Sequence, residues 1–281
     1  MGSRIPGAED HSGACPQKLP EENNGKQPTE NEMSDARFST VLADRVAEVT
    51  LAFNKVNALS IEDVDALADH LLTLGRTPQV SVIIIRNDGN SFCAGANVKE
   101  LTANPPLVGA SNRAWLSLVS ACRNCQLPIV VAVDGHCIGG GLALVASCDI
   151  VFLSDRSTFS LPQVKTGGWG AGTFLMRLLG PLKMRAPMFT GRALTAAEIA
   201  QGGQIEAVCP ADQLRDRVWS LAKEIAQNPV DALRAGKKAL NGIEHFLVLE
   251  DSYRFEHAFT TELFVSPEAA AKRAIAFSQA S

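Results

Sequence analysis

Residues 133–150 read VDGHCIGGGLALVASCDI, and three consecutive glycines, Gly139–Gly141, divide this stretch. An apolar run precedes the glycines and an apolar, helix-like run follows them, so the pattern predicts a strand, a tight turn and a helix. Unpaired N–H groups and the helix dipole favour an anion at such a helix start. Glycine-rich turns also occur where chains simply pack closely, so this stretch alone leaves both interpretations open. It matches neither a P-loop nor the spaced glycines of a dinucleotide fold.

A second stretch, SFCAGANVKEL at residues 91–101, repeats this design. It follows the apolar strand VSVIIIR at residues 80–86, places Gly95 between two alanines and begins a helix near Val98. Two helix starts of this kind that face each other would form an oxyanion hole. One donor in such a hole typically contributes about 2.7–4 kcal/mol to transition-state stabilisation.

The remaining pattern predicts an α/β protein. FSTVLADRVAEVTLAF at residues 38–53 alternates like two strands of a hairpin, and SIEDVDALADHLLTLGR begins a helix with Ser60 as its N-cap. Buried strands and helices then alternate, which indicates layered α/β packing, and amphipathic helices dominate after residue 180. We therefore predict a disordered tail over residues 1–34, an α/β core over residues 35–195 and a helical region over residues 196–281. Met33 is an alternative natural start.

Composition excludes several classes of function. The 281 residues carry a net charge of −4 with no basic stripe, so we expect no nucleic-acid partner. No apolar run reaches the length of a membrane span, so we expect no membrane partner. The seven scattered cysteines predict free thiols and a cytoplasmic location. The pair Cys122 and Cys125 is expected to be two core residues one helical turn apart, because no second pair at zinc-binding spacing accompanies it.

Four stretches carry a resemblance to a known family. NKVNALS at 54–60, SFCAGANVKEL at 91–101, VDGHCIGGGLALVASCDI at 133–150 and FTGRALTAAEIAQGGQIEAVCP at 189–210 occur in the order and spacing of the enoyl-CoA hydratase/isomerase, or crotonase, superfamily. The resemblance covers roughly residues 37–281. It implies a spiral of ββα units with a helical C-terminal region that builds homotrimers or hexamers. It also implies an acyl-CoA substrate that itself carries coenzyme A, with no permanently bound cofactor and no metal.

The resemblance assigns roles to residues of this sequence. The backbone N–H groups of Ala96 and Gly140 would hold the oxyanion of the thioester. Lys55 and Lys99 would meet phosphates of coenzyme A, although a solvated surface position is an equal alternative. The residues expected to line the adenine and pantetheine path are Asn57, Ala58, Leu59, Ala94, Asn97 and Val98.

The acid–base pair of the family's hydratases is replaced in this sequence. Ala143 and Gln163 stand where hydratases carry glutamates, and neither an alanine nor a glutamine transfers protons. Trp169 is expected to be either a wall of the acyl pocket or plain core. The short loop after Gln163, together with SYRFEHAFTTEL at 252–263, resembles the branch that contains bacterial ring-cleaving hydrolases of steroid-ring CoA thioesters. Other acids or bases would have to enter from the tail, where the sequence offers without choosing Glu250, Asp251, Glu256, His257 and Glu262.

These observations predict an enzyme that stabilises a thioester enolate in an oxyanion hole. Without the acid–base pair, the enolate is best formed by loss of a group other than a proton. The leading hypothesis is therefore decarboxylation or C–C cleavage, as by a lyase or hydrolase, of a β-keto-type acyl-CoA. The alternatives are an enoyl-CoA hydratase or isomerase with a relocated acid or base, and a non-catalytic acyl-CoA-binding or assembly subunit.

Overall fold

A computed structural model describes most of the chain. It covers residues 31–35 and 37–243 and, beyond them, Glu250, Asp251, Tyr253, Arg254, His257, Thr261, Ala270, Ala271, Ala274 and Ile275. Of the predicted disordered tail, residues 1–30 lie outside the described part. The boundary at residue 34 is wrong, because a strand at Asn31–Asp35 pairs antiparallel with Phe38–Ala43. Backbone pairing of this kind needs no apolar periodicity, which is why the pattern did not reveal it.

Thirteen strands are present in the described residues, and they form three sheets. The large sheet has the order β1-β2-β3-β5-β8-β10-β13, a second sheet has the order β12-β11-β9-β6, and β4 pairs with β7. The strands are β1 Asn31–Asp35, β2 Phe38–Ala43, β3 Val46–Leu51, β4 Ala58–Leu59, β5 Val82–Asn87, β6 Ser91–Cys93, β7 Gly95–Ala96, β8 Ile129–Val133, β9 His136–Ile138, β10 Ile150–Ser154, β11 Thr158–Ser160, β12 Leu194–Thr195 and β13 Ala207–Cys209.

The helices of the described residues follow the strands in sequence. They are α1 Ile61–Arg76, α2 Val98–Ala103, α3 Leu107–Asn124, α4 Gly140–Ser147, α5 Gly172–Leu179, α6 Arg185–Thr190, α7 Ala196–Ala200, α8 Leu214–Ala226 and α9 Val230–Ile243, with 3₁₀ turns at Pro162–Thr166 and Ala211–Gln213. Ser60 caps α1 as predicted: its hydroxyl accepts from the N–H of Asp63, whose carboxylate accepts from the N–H of Ser60.

The predicted spiral of ββα units is confirmed by the order of the strands. Each turn places one strand in the large sheet and the next in the second sheet: β5 precedes β6, β8 precedes β9, and β10 precedes β11. Both stacks are parallel, with Ile84 paired to Val130 in the large sheet and His136 paired to Thr158 in the second. Helices α2 and α3 close the first turn and α4 closes the second. The glycine-containing stretches therefore occupy equivalent corners of successive turns.

The large sheet is covered on both faces, which explains its continuous apolar strands. On β5, Ile83 and Ile85 belong to the core that also contains α1, α3 and α4, while Val82 and Ile84 face a smaller core that contains α8. The predicted domain boundary at residue 195 does not end the sheet, because β13 pairs with β10. The short strand AVC at Ala207–Cys209 carries too little pattern to be separated from the surrounding helices.

Cys122 and Cys125 are buried at the end of α3, where Cys125 is the C-cap, so their predicted place in the core is confirmed. Within the part of the chain that the structure describes, no helix is both long enough and apolar enough to cross a membrane.

Candidate active site

Strand β7 lies against the start of helix α4 because residue 95 is a glycine. Gly95 has a φ of +81°, in the left-handed region that other residues rarely adopt. A Cβ atom at this position would lie 2.8 Å from the backbone nitrogen of Gly140 and 2.8 Å from the carbonyl oxygen of Ile138. The two glycine-containing stretches of the sequence therefore meet backbone against backbone.

Two backbone N–H groups are presented at this contact. The N–H of Asn97 donates to the carbonyl of Leu59 over 2.8 Å, and successive N–H groups of a strand alternate in direction, so the N–H of Ala96 points away from β4. Gly140 is the first residue of α4, so its N–H has no partner within the helix. Ala96 and Gly140 line the same cavity, which brings the two predicted oxyanion donors to one site.

This cavity has a volume of about 300 Å³ and is mostly apolar. One wall is a single face of α3, formed by Val108, Ser111, Asn112 and Trp115. The indole of Trp115 covers the start of α4 so closely that a Cβ atom at Gly140 would lie 2.6 Å from its Cζ2 atom. The other walls are the glycine contact, the loop over residues 162–171, and two residues of the C-terminal segment.

Gln163 lines the cavity from the 3₁₀ turn Pro162–Thr166. Its Nε2 atom donates to the carbonyl of Gly170 over 3.2 Å, and the Thr166 hydroxyl donates to the backbone carbonyl of Gln163 over 3.0 Å. These bonds fix the loop and leave the Oε1 atom of Gln163 as the free acceptor of this side chain. The arrangement requires an amide, because a carboxylate has no proton to donate to Gly170.

Ala143 and Trp169 form apolar parts of the wall. Ala143 lies on α4 and is 1% exposed, so its methyl group meets the cavity inside a packed environment. Trp169 lies in the loop after Gln163, and its ring centroid is 5.8 Å from that of Phe189. The interpretation of Trp169 as a pocket wall is thus the one that agrees with its position.

Of the residues predicted to bind coenzyme A, the structure brings Ala94 and Val98 to the cavity. Asn57 and Leu59 are buried at 2% exposure and are structural. The Asn57 amide donates to the carbonyls of Ser91 and Phe92, and its Oδ1 atom accepts from the N–H of Phe53. The side chain of Asn57 thus holds the segment before β4 against β6, and the role of Asn57 and Leu59 along the coenzyme A path stays a prediction.

The other predicted binding residues lie outside the cavity lining. Ala58 pairs with Gly95 in the small sheet, and Asn97 caps α2 by accepting from the N–H of Glu100. Lys55 and Lys99 are exposed on the surface beside the small sheet. For these four residues the structure gives a position near the cavity but no direct part in its wall.

The C-terminal segment contributes Tyr253 and His257, which are four residues apart and share one helical face. The Tyr253 ring packs on the fully buried Phe174 of α5, with ring centroids 4.8 Å apart, and the His257 ring packs on Tyr253 at 4.1 Å. Burial lowers the pKa of His257. Sequence reasoning named His257 only as one of five tail candidates. It missed Tyr253 and Asn112, which carry no local signal that separates them from other helix residues.

The remaining tail candidates are placed elsewhere or fall outside the described residues. Asp251 is exposed and forms an ion pair with Arg254 at 3.0 Å, and Glu250 is not part of the cavity lining. Glu256 and Glu262 lie outside the described part of the chain.

Three side chains in the cavity wall carry a buried polar atom that has no hydrogen-bond partner among the described residues. They are the Nδ2 atom of Asn112, the Oε1 atom of Gln163 and the Nε2 atom of His257. An unsatisfied buried polar group typically costs about 1–3 kcal/mol. Three of them in one cavity therefore mark a place where a polar ligand would be stabilised.

The described residues contain no group of three His, Cys, Asp or Glu side chains that could hold a metal ion. Two polar residues of the glycine stretch have structural partners. His136 bonds through Nδ1 to the Thr158 hydroxyl at 2.8 Å, and Asp149 accepts from the N–H of Ile129 at 2.7 Å and pairs with Lys237 at 2.8 Å.

Known proteins resemble this chain in sequence and in fold. A (7aS)-7a-methyl-1,5-dioxo-2,3,5,6,7,7a-hexahydro-1H-indene-carboxyl-CoA hydrolase of Rhodococcus jostii is 37% identical over 228 residues, which cover 80% of this chain and 88% of the relative. A probable enoyl-CoA hydratase of Mycobacterium bovis is 30% identical over 236 residues, covering 80% and 91%. The crystal structure of a probable enoyl-CoA hydratase from Mycobacterium thermoresistibile superimposes with a TM-score of 0.74 at 30% identity, covering 81% of this chain and 94% of the other. Residues 42–277 match the family described as enoyl-CoA hydratase/isomerase, and the chain belongs to that family.

Proposed function

We propose that this enzyme hydrolyses a carbon–carbon bond in a cyclic β-keto acyl-CoA, with the thioester oxyanion held by the N–H groups of Ala96 and Gly140. The observation that carries the proposal is the chemistry beside those donors. A methyl group at Ala143 and an amide at Gln163 face the cavity, and no Asp or Glu occurs among its described lining residues.

Bond cleavage suits this site better than hydration does. Hydration of an enoyl thioester needs one group to activate water and another to protonate the α-carbon. In cleavage of a β-keto thioester, the broken carbon–carbon bond supplies the electron pair of the enolate. The oxyanion hole then stabilises the charge where it develops, and such preorganised stabilisation is often the largest contribution to catalysis.

The aromatic lining of the cavity suits the flat faces of a small ring. Trp115, Trp169 and Tyr253 give it aromatic walls, and its volume of about 300 Å³ is at the lower end of ligand pockets. The unpartnered amides of Asn112 and Gln163 would meet polar atoms of the ring. The Rhodococcus jostii relative, whose name describes a hydrolase of a bicyclic dioxo carboxyl-CoA, supports the same substrate class.

The test uses the CoA thioester of 2-oxocyclohexanecarboxylic acid, in which the ring ketone is β to the thioester carbonyl. Ring opening adds one water to the mass while coenzyme A stays attached. Simple thioester hydrolysis would instead release free CoA thiol. The proposal requires the first product, and release of CoA thiol as the main product would contradict it.

Enoyl-CoA hydration is the second candidate, supported by the 30% identical hydratase relatives and by His257 as a titratable group in the cavity. Loss of absorbance of the conjugated thioester of crotonyl-CoA measures this reaction. Turnover near the median enzyme rate of about 10 s⁻¹ would favour hydration over ring cleavage. Absence of both activities, with acyl-CoA binding retained, would favour a non-catalytic binding or assembly subunit.

We further propose that the nucleotide of the CoA thioester lies over the exposed surface near Lys55 and Lys99, beside the small sheet. Calorimetry with acetyl-CoA should show weaker binding for Lys55→Ala and Lys99→Ala.

The protein is also proposed to act in the cytoplasm as a homotrimer or hexamer. The six described cysteines are buried and free, as is typical of a reducing compartment.

A further inference from the structure

We propose that His257 is the proton-transfer residue of this site, standing in for the acid–base groups that residues 143 and 163 do not provide. This inference rests on the proposed function for its reaction, but the placement of the imidazole is independent of it. Among the described lining residues, His257 and Tyr253 are the two with a titratable side chain.

The position of His257 is set by a chain of aromatic contacts. Phe174 is fully buried in α5, Tyr253 packs on it with 7% exposure, and the His257 ring meets the Tyr253 ring edge to face at 65°. One nitrogen, Nε2, is buried in the cavity wall without a partner among the described residues. The core thus fixes the direction of the ring while one nitrogen stays available to a ligand.

The protonation state of His257 suits a general base. Desolvation lowers its pKa, so the imidazole is neutral near neutral pH and can accept a proton. The unpartnered atoms of Asn112 and Gln163 are complementary to this role. The Asn112 Nδ2 atom can donate to a ring ketone, and the Gln163 Oε1 atom can accept from a water molecule.

The step balances without any further reactant. His257 Nε2 takes one proton from water as the water oxygen bonds to the ring ketone carbon. The bond between that carbon and the α-carbon then breaks. Its electron pair becomes the thioester enolate beside Ala96 and Gly140, and the former ketone carbon becomes a carboxylic acid. The imidazolium returns the proton to the α-carbon.

Two measurements test the proposal separately from the function. The first is ring opening of the 2-oxocyclohexanecarboxyl thioester, which needs the whole reaction. The second is deuterium exchange at the α-carbon of butyryl-CoA in D₂O, which needs only the oxyanion hole and a proton-transfer group. Exchange by the wild type that is lost in His257→Ala, without ring opening by either, would support His257 and contradict the proposed function.

His257→Ala should lower ring opening and exchange by about 10²–10⁴-fold, and added imidazole should restore part of both rates. His257→Gln, which retains more of the ring's packing volume, should lose the rates without rescue. His136→Ala is the matched control, because His136 is exposed and bonded to Thr158 outside the cavity lining. Rates within a few-fold of wild type in His257→Ala would overturn the proposal. So would a loss that imidazole does not restore at all, or a wild type that catalyses neither reaction.

Discussion

The two polar atoms of the Gln163 amide have different surroundings. Nε2 is tied to the carbonyl of Gly170, which can only accept, while Oε1 remains available to a ligand. A glutamate at this position would place a carboxylate oxygen against the Gly170 carbonyl. The hydrogen bond to Gly170 therefore requires an amide at position 163. The same requirement explains why this position carries no side chain that titrates.

Gln163→Glu should lower the free energy of unfolding by about 1–3 kcal/mol, the usual cost of leaving a buried polar group unsatisfied. Urea unfolding measures the change. Gln204→Glu is the matched control, because Gln204 makes the same kind of amide bond to the carbonyl of Gly202 in an exposed position. Equal effects of the two substitutions would show that the Gly170 bond has no special role.

The contact between β7 and α4 depends on two glycines rather than on side chains. Gly95 allows the close approach, and Gly140 leaves room for Trp115. Proline is the one residue without a backbone N–H, and at Gly140 its ring would collide with Trp115, so displacement of one element from the other is the practical way to disturb the oxyanion hole.

Gly95→Ala should lower kcat by about 10²–10³-fold, as expected when an oxyanion donor is displaced. Its Cβ atom would lie 2.8 Å from the backbone of α4. Gly89→Ala supplies the comparison, since Gly89 has a nearly identical φ of +83° but open space around its Cβ position. Both variants carry backbone strain of about 1–2 kcal/mol, and only Gly95→Ala should lose turnover. A similar loss in both would assign the effect to strain.

Helix α9 is joined to the core by a buried lysine. Lys237 is 5% exposed and donates to the carbonyls of Cys122 at 2.8 Å and Leu127 at 3.0 Å, and its ammonium pairs with Asp149 at 2.8 Å. These three interactions join the end of α3, the turn before β8 and the carboxylate of Asp149, which precedes β10, to the helix that leads into the C-terminal segment. The aromatic anchor of Tyr253 lies beyond it in sequence.

Lys237→Met should lower the free energy of unfolding by about 3 kcal/mol, because it leaves two carbonyls and a carboxylate without their cation. Thermal and urea unfolding measure the loss. The neighbouring Lys238 is exposed, so Lys238→Met should change stability by less than about 0.5 kcal/mol. Equal stability of the two variants would show that α9 is held by apolar packing alone.

Several large apolar side chains remain exposed on the single chain. Leu182 is 80% exposed, Phe189 64% and Leu240 62%. Phe189 also packs against Trp169 of the cavity wall, so a neighbouring chain over this surface would cover the outside of the site. We expect light scattering to give three or six times the 29.9 kDa chain mass. Phe189→Glu should shift the population towards smaller species, and a wild-type monomer at micromolar concentration would contradict the expected assembly.

Interactions between residues that are close in sequence determine many of the helices, strands and turns of this protein. The capping pair Ser60 and Asp63, the apolar strands and the two glycine stretches follow from rules that act within a few residues, and they predicted layered α/β packing with two helix starts. The ββα spiral and the roles of Ala96 and Gly140 were implied by the family resemblance. The inability of Ala143 and Gln163 to transfer protons also follows directly from the sequence, because it depends on residue type alone.

Only the tertiary structure decided which distant groups share the cavity. Asn112 and His257 are far apart in sequence, and nothing in their local pattern distinguishes them from solvated helix residues. The tertiary structure also decided the partners of the Asn57 amide, which makes three hydrogen bonds to backbone groups of Phe53, Ser91 and Phe92. Local patterns fix elements and their faces, whereas the partners of a polar side chain depend on how those elements pack together.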